Sequence, residues 1–194
     1  MTDFVAAGPK KVLLAALLCA LAVSGCAGSP RPALPSEGSQ VSTSAPHSGL
    51  TAADIGWLQL MIALDDQARH ILQLTPERSD DTGLKAWAAD VAEHHRTELA
   101  TLRALLTEGG VPDDNPHEGH DMPGMVNAQE LRALEAAQGP DFDRLLRSAL
   151  LEHLAQTRTL AASIRKADAG PEVKEAALAT GTSAADAQRH LKSI

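Results

Sequence analysis

The sequence predicts an all-α domain, and both its composition and its periodicity support this fold class. Aromatic residues make up only 2% of the chain and tyrosine is absent, whereas alanine and leucine are abundant, which favours packed helices over a β-sandwich. Apolar residues recur at intervals of three and four in two long segments before a central stretch and in two after it. Glycine and proline separate these segments. We therefore expect four helices.

Residues 1–25 have the organisation of a secretory signal. Lys10 and Lys11 precede an apolar run over residues 12–23, which is too short for a transmembrane helix, and small residues follow it. The Val-Ser-Gly sequence before Cys26 resembles the lipobox of bacterial lipoproteins, in which that cysteine is diacylated and becomes the mature N-terminus. We therefore predict a lipid anchor on Cys26 at the extracytoplasmic face of the cell membrane. A plain signal peptide with a chance cysteine is the alternative.

Residues 26–50 are predicted to be a disordered tether between the anchor and the domain. They are rich in Ser, Pro and Gly and poor in large apolar side chains, so they cannot bury enough surface to offset the entropy lost on ordering. Cys19 would be removed with the signal, which leaves no disulfide and no free thiol. The net charge of −8 argues against nucleic acid and anionic lipid as partners, so membrane attachment would depend on the acyl chains.

The first helical pair carries polar residues where apolar ones are expected. Thr51 is a predicted N-cap, and the helix after it stops near Pro76 with Asp65 in register with its apolar stripe. A carboxylate at such a position is costly unless it is paired or ligated. The second helix begins near Asp81, and a gap in its apolar stripe is filled by His94, His95 and Glu98. At spacings of three and four, imidazole and carboxylate can meet on one helix face.

The central stretch between the helical pairs gathers residues that could bind a soft metal ion. It follows Gly109-Gly110, which ends the second helix, and it contains His117, His120, Asp121, Met122 and Met125. Asn127 followed by Glu130 predicts a short extra helix, which we expect Gly139-Pro140 to close.

The third long helix is predicted to begin at Asp141, with His153 in register with its core stripe, and Pro171 suits the first position of the fourth helix. The two helical pairs have similar lengths, which suggests an internal duplication over residues 51–194. Four antiparallel helices with a long central crossover constitute a ferritin-like bundle.

In the register of this duplication, Asp65 matches His153 approximately. His95 matches Ala187, and Glu98 matches His190. Side-chain identity between the two halves is low, so the duplication rests on pattern alone.

The middle of the chain resembles a known family. The sequences MPGM at residues 122–125, EL at 130–131 and FDRL at 142–145 look like the central motif of domain-of-unknown-function family 305, a family of secreted and lipoprotein bacterial proteins. The resemblance covers residues 51–194 and implies a duplicated ferritin-like four-helix fold. Some members bind copper or silver, so the resemblance also implies metal binding, with Met122 and Met125 matching the family motif.

The chain departs from the family at the histidines. Members typically carry a His-His pair in the first and third helices and a Gln three residues before a Glu in the second and fourth. At these positions this chain has, in helix order, Leu64-Asp65, His95 and Glu98, Glu152-His153, and Ala187 and His190. The ligand pair of the first helix is therefore largely lost.

A first metal site is predicted in the bundle core. Its candidate ligands are Asp65, His94 or His95, Glu98 and His153. Imidazole and carboxylate at one-turn spacing on facing helices are typical of bundle sites for Zn²⁺, Cu²⁺ or Fe²⁺. The alternative is that these residues are paired core polar groups or lie at a solvated edge.

A second metal site is predicted in the central loop. Its candidate ligands are His117, His120, Asp121, Met122 and Met125. Thioethers select Cu⁺ or Ag⁺, and imidazoles accept either oxidation state of copper. The alternative is a mobile polar linker whose methionines pack on the bundle.

The sequence therefore predicts a lipid-anchored metal-binding protein, with copper as the leading ion and silver or zinc as alternatives. It does not predict an enzyme, because no Glu is followed by His three residues later and neither a Gly-rich phosphate loop nor a nucleophile elbow is present. The alternative function is a scaffold that has lost its metal ligands and binds another protein of the cell envelope.

Overall fold

The computed structural model describes residues 49–117 and 120–194, which fold into helices joined by turns and loops. Among these residues no helix is long and apolar enough to cross a membrane. The predicted signal at residues 1–25, the predicted lipidation site Cys26 and residues 27–48 of the predicted tether lie outside the described residues.

Four long helices and two short ones make up the described part of the chain. The long helices are α1 (Ala52–Leu72), α3 (Thr82–Glu108), α5 (Gly139–Ile164) and α6 (Pro171–Leu191), and the short ones are α2 (Thr75–Arg78) and α4 (Ala128–Ala136). The all-α fold class is confirmed, as is the short extra helix before the third long one.

Three helices begin where capping side chains are available. The hydroxyl of Thr51 accepts a hydrogen bond from the backbone N–H of Asp54, and the Asp54 carboxylate accepts one from the backbone N–H of Thr51. Asn127 and Glu130 form the same reciprocal pair at the start of α4. Asp81 caps α3 with its carboxylate. Each cap satisfies donors that the first helical turn leaves free, so the predicted starts of these helices are confirmed.

Two prolines begin helices where the sequence predicted only helix ends. Pro76, expected to stop α1, lies in the first turn of the short helix α2. Pro140, expected to close α4, lies in the first turn of α5, which therefore begins at Gly139 and not at Asp141. The fixed φ of proline suits a first helical turn, where its missing N–H costs nothing.

Contacts at the two ends of the bundle fix the helix directions. At one end, Arg147 of α5 contacts Asp81 at the start of α3 and the carbonyl of Leu191 at the end of α6. At the other end, Asp54 near the start of α1 accepts a hydrogen bond from the N–H of Gly170 just before α6. Neighbouring long helices are therefore antiparallel, and the segment between α3 and α5 crosses the length of the bundle. This is the ferritin-like topology.

The apolar core is divided into two clusters. The cluster at the end where α3 begins includes Leu72, Trp87, Phe142 and Leu191, and the cluster at the opposite end includes Trp57, Leu102, Ile164 and Val173. Between them the buried side chains are polar, namely Asp65, His95, His153, Thr157 and Thr180. A polar layer across the middle of a helical bundle is costly unless its groups find partners.

The MPGM segment forms a tight turn beside this layer. The N–H of Met125 donates to the carbonyl of Met122 at 3.0 Å, and Gly124 has a φ of 85°, which the third residue of a type II turn requires. The next residue, Val126, donates to the side-chain oxygen of Gln67 at 2.7 Å and accepts from its amide nitrogen at 2.9 Å. The crossover is thereby clamped to α1.

We expect Gly124→Ala to destabilise the fold more than Gly110→Ala. Both glycines have positive φ, but a Cβ at Gly124 would lie 2.7 Å from the Cβ of Gln156 on α5, whereas one at Gly110 would meet nothing within 4 Å. Gly110→Ala should therefore cost only the backbone strain of about 1–2 kcal/mol. Urea denaturation of both variants measures the difference. Equal losses would show that the turn does not press against α5.

Candidate metal centre

Asp65, His95 and His153 form a cluster in the polar layer. Their relative exposures are 0%, 4% and 2%, so none of the three is solvated by bulk water. Each comes from a different long helix, α1, α3 and α5, at the point where the apolar stripe of that helix passes from one core cluster to the other. Three helices therefore hold the cluster in place.

The three side chains converge on one point. Nδ1 of His95 lies 3.4 Å from Oδ1 of Asp65, and Nε2 of His153 lies 3.8 Å from the same oxygen. The two imidazole rings meet edge to face, with centroids 5.1 Å apart. One possible ligand atom from each residue lies within 4.8 Å of the others.

None of these polar atoms has a hydrogen-bond partner in the described residues. This holds for both oxygens of Asp65 and for both ring nitrogens of His95 and of His153. A buried polar group without a partner costs about 1–3 kcal/mol, and more if it is charged. The arrangement is therefore poorly explained as a set of paired core groups.

Glu98 extends the cluster towards the surface. Its Oε2 lies 3.6 Å from Nδ1 of His95, and its side chain is 11% exposed. The hydroxyl of Thr180 on α6 donates a hydrogen bond to Oε1 of Glu98. A second carboxylate is thus held next to the buried cluster by a neighbouring helix.

Burial and neighbouring charges raise the pKa of Asp65 well above its ordinary value. Desolvation is the largest cause, and the carboxylates of Glu98 and Asp66 add to it, while Arg103 opposes it. A cation beside Asp65 would stabilise the charged form that this environment disfavours.

Burial lowers the pKa of His153 to about 3, because the interior disfavours the imidazolium form. The neighbouring His95 lowers it further, and an interaction with the backbone of Gly124 opposes the shift. His153 is therefore neutral near pH 7. A neutral imidazole has a lone pair available for a metal ion.

The spacing of the cluster fits a single transition-metal ion. Ligand atoms at about 2.0–2.1 Å from a tetrahedral ion lie about 3.4 Å from one another. Three separations are near this value: 3.4 Å between His95 and Asp65, 3.6 Å between His95 and Glu98, and 3.8 Å between His153 and Asp65. Asp65, His95 and His153 each have a possible ligand atom within 4.8 Å of the others, and Glu98 adjoins this trio through His95. Two imidazoles with carboxylates suit Zn²⁺, Cu²⁺ or Fe²⁺. One such ion would give all three buried residues the partner that they lack.

The family of the chain follows from a comparison with protein-family models. The model described as Domain of unknown function (DUF305) matches residues 54–192, which include nearly the whole bundle and all residues of the cluster. This chain belongs to the DUF305 family. The resemblance seen in the sequence is thereby confirmed.

Solved structures of two DUF305 proteins and of CopM share the fold. A protein from Streptomyces coelicolor described as secreted matches with a TM-score of 0.65 and 20% identity, over 72% of this chain and 89% of its own. A fragment from Deinococcus radiodurans matches with a TM-score of 0.67 and 20% identity, over 74% and 95%. CopM in its Cu(II)-bound form matches with a TM-score of 0.63 and 18% identity, over 72% and 93%. The comparison with curated proteins found no match.

Among the residues predicted for the core site of this DUF305 protein, the structure brings Asp65, His95, Glu98 and His153 together. His94 lies apart from them, because adjacent residues on a helix point in directions about 100° apart. Its side chain is exposed, and its Nε2 lies 2.8 Å from the hydroxyl of Ser183 on α6. The predicted choice between the two histidines is thus resolved by geometry in favour of His95.

The residues predicted for the loop site are not part of the cluster, although Met122 and Met125 belong to the MPGM turn that lies beside it. The rings of His117 and His120 are 6.3 Å apart, edge to face. Met122 is half-buried, and Met125 packs against the apolar cluster that contains Trp57. Asp121 is exposed. The loop therefore keeps the two histidines close to each other, and a metal site there stays a prediction.

Sequence reasoning missed the two threonines of the polar layer. Thr157 is buried without a hydrogen-bond partner for its hydroxyl in the described residues, and Thr180 bonds to Glu98. Both lie in the apolar stripes of their helices, as Asp65 and His153 do. A polar residue at a stripe position was the signal that could have identified them.

We expect His153→Leu to leave the metal-free domain at least as stable as the wild type at neutral pH, since an apolar side chain of similar size replaces an unpaired buried imidazole. The advantage of the variant should grow as the pH falls from 6.5 towards 4. In that range His153 is protonated in the unfolded wild type but stays neutral in the folded one, so the free energy of unfolding of the wild type falls. Because the pKa of Asp65 is raised in the folded state, its contribution to stability decreases as the pH rises. This effect is present in both the wild type and the variant.

Denaturation in chelator-treated buffer over this pH range measures the effect. His70→Leu is the control, because the His70 side chain is 54% exposed and its loss should change stability by less than about 0.5 kcal/mol. A His153→Leu variant less stable than the wild type at every pH would show that the imidazole is a well-paired core group.

Proposed function

We propose that this protein binds one transition-metal ion in the middle of its bundle, with Asp65, His95 and His153 as ligands and Glu98 completing the set. The protein would hold or buffer that ion in the cell envelope. The role is binding and not catalysis.

The observation that carries the proposal is the set of six buried polar atoms of Asp65, His95 and His153 that make no hydrogen bond within the described residues. One possible ligand atom from each residue lies within 4.8 Å of the others, and Oδ1 of Asp65 lies 3.4 Å from His95 and 3.8 Å from His153. A folded chain bears the cost of such a group only where something else stabilises it, and one cation would satisfy all three side chains.

The ligand atoms favour borderline ions. Nitrogen and oxygen donors suit Cu²⁺ or Zn²⁺, whereas Cu⁺ and Ag⁺ prefer the sulfur donors of the crossover loop. Copper is our first choice, because a structural neighbour of the same fold is CopM in its Cu(II)-bound form. Silver and zinc are the ions to test beside it.

The proposal includes attachment to the membrane through lipid on Cys26. Its support is the pattern of charged, apolar and small residues over residues 1–25. Cys26→Ser should move the protein from the membrane fraction to the soluble fraction and abolish labelling with radioactive palmitate. An unchanged membrane fraction would refute the anchor without affecting the metal site.

Adjacent histidines provide a matched pair of variants for the metal site. We expect His95→Ala to reduce Cu²⁺ affinity by about 100-fold or more, because it removes a ligand at the centre of the cluster. His94→Ala, one residue earlier on the same helix, should keep the affinity within about twofold, because its exposed side chain contacts Ser183 instead. Native mass spectrometry with Cu²⁺, Zn²⁺, Cu⁺ and Ag⁺ against a competing chelator gives the number and affinity of bound ions.

The outcomes separate the proposed function from its alternative. One Cu²⁺ or Zn²⁺ ion retained by the wild type and lost from His95→Ala supports the core site. Retention of no ion by the wild type would refute the metal proposal and favour the scaffold. Equal losses in the two histidine variants would place the ion somewhere other than the buried cluster.

A further inference from the structure

A cleft of about 380 Å³ lies between α3 and α6 and reaches the edge of the polar layer. His95 and Glu98 are among its lining residues, whereas Asp65 and His153 are not. Its other walls are largely apolar, with Trp87 and Val91 on α3 and Leu154 on α5. The cleft therefore ends at the two cluster residues that lie nearest the surface.

The cleft exists because the side chains of α6 that face α3 are small. Ser183, Ala184 and Ala187 line it, and the indole N–H of Trp87 donates to the carbonyl of Ala187 at 3.1 Å, which holds the two helices at this spacing. In the register of the duplication, Ala187 is the counterpart of His95. At equivalent positions, α3 therefore has a histidine of the cluster, whereas α6 has an alanine whose small side chain leaves the cleft open.

The opposite side of the cluster is closed. The seam between α1 and α5 is covered by the MPGM turn, in which Gly124 lies so close to α5 that a Cβ would be 2.7 Å from the Cβ of Gln156. Gln67 of α1 holds the following residue by two hydrogen bonds. A cavity on that side, between the crossover and α5, is much smaller at about 80 Å³, and His95 does not line it.

The rim of the cleft carries two carboxylates that attract cations. Asp90 lies on α3 and Asp186 on α6, and both are exposed. Carboxylates around a cleft with apolar walls raise the local concentration of cations. Arg189 pairs with Asp186 and weakens this effect on the α6 side.

We propose that the metal ion enters and leaves the buried centre through the α3–α6 cleft, with Glu98 as the ligand that it meets first. The proposal rests on the proposed function. Glu98 is the most exposed of the four ligands, at 11% against 6% or less for the others. It lines the cleft, and the hydroxyl of Thr180 on α6 donates a hydrogen bond to its carboxylate. An ion that crosses the cleft therefore reaches Glu98 and His95 before Asp65 and His153.

The test blocks the cleft and measures exchange. Ala187→Leu and Ser183→Leu each fill the cleft from its α6 wall, one turn apart, and both positions are half-buried. For the Cu²⁺-loaded full-length protein, both variants should release Cu²⁺ to excess EDTA at least tenfold more slowly than the wild type. The number of ions bound should be unchanged.

Two control variants test whether slower release is specific to the cleft. Ala185→Leu lies two residues from Ala187 on the same helix but lines the groove between α5 and α6, so it should exchange at the wild-type rate. Gln67→Ala loosens the MPGM turn and should also exchange at that rate. Exchange that is unaffected by both cleft variants, or accelerated by Gln67→Ala, would overturn the cleft route.

Substitutions of Thr180 test the proposed role of Glu98 as the first ligand that the ion meets. Thr180→Val removes the hydroxyl that holds Glu98 while keeping the size of the side chain, so release should become several-fold faster. Thr180→Ser keeps the hydroxyl and should restore the wild-type rate. An unchanged rate in Thr180→Val would refute the role given to Glu98. A wild-type protein that binds no Cu²⁺ would refute the proposed function itself, which distinguishes that failure from the failure of the route.

Discussion

The structure is constrained by a buried polar layer between two apolar clusters, in which most side chains lack hydrogen-bond partners among the described residues. Asp65, His95 and His153 would each be replaced by leucine in a bundle selected for stability alone, because each leaves buried donors or acceptors without partners in the described residues at about 1–3 kcal/mol apiece. The two clusters on either side must supply the stability that the layer gives up. A bound ion would turn the destabilising contribution of the polar layer into a stabilising one. Folding of the domain and binding of the ion would then be thermodynamically linked.

The rest of the fold keeps that layer in one arrangement. The ends of the bundle are fixed by Asp54 at one end and by Arg147 at the other, each of which joins segments distant in the sequence. In the middle, where the layer lies, the crossover is tied to α1 by Gln67 through paired hydrogen bonds. Side chains held on three rigid helices cannot move far, so any ion bound between them would be restricted to one coordination geometry. The hydrogen bonds made by Asp54, Arg147 and Gln67 therefore hold the helices around the polar layer, and none of them is made by a residue of the layer.

Much of the fold and part of the site could be predicted from the sequence. The helix starts at Thr51 and Asn127 are encoded in adjacent residues, since capping pairs act over three positions. Asp65 and His153 were identifiable because polar residues interrupt an apolar period. The choice between His94 and His95 was not, because it depends on the rotation of α3 against its neighbours. The role of Pro140 was also predicted wrongly, because the sequence alone does not show whether a proline ends one helix or begins the next.

In the register of the duplication the two halves of the chain differ at the cluster, and that difference accounts for the cleft beside it. The first three long helices each contribute a residue of the cluster, but on α6 the counterparts of His95 and Glu98 are Ala187 and His190. A histidine in place of Ala187 would project into the cleft and fill the space that now separates α6 from α3. Enclosure by four helices would favour retention of an ion, whereas three ligating helices and one wall of small residues favour exchange. If the proposed site binds a metal ion, this asymmetry would therefore favour its release as well as its binding.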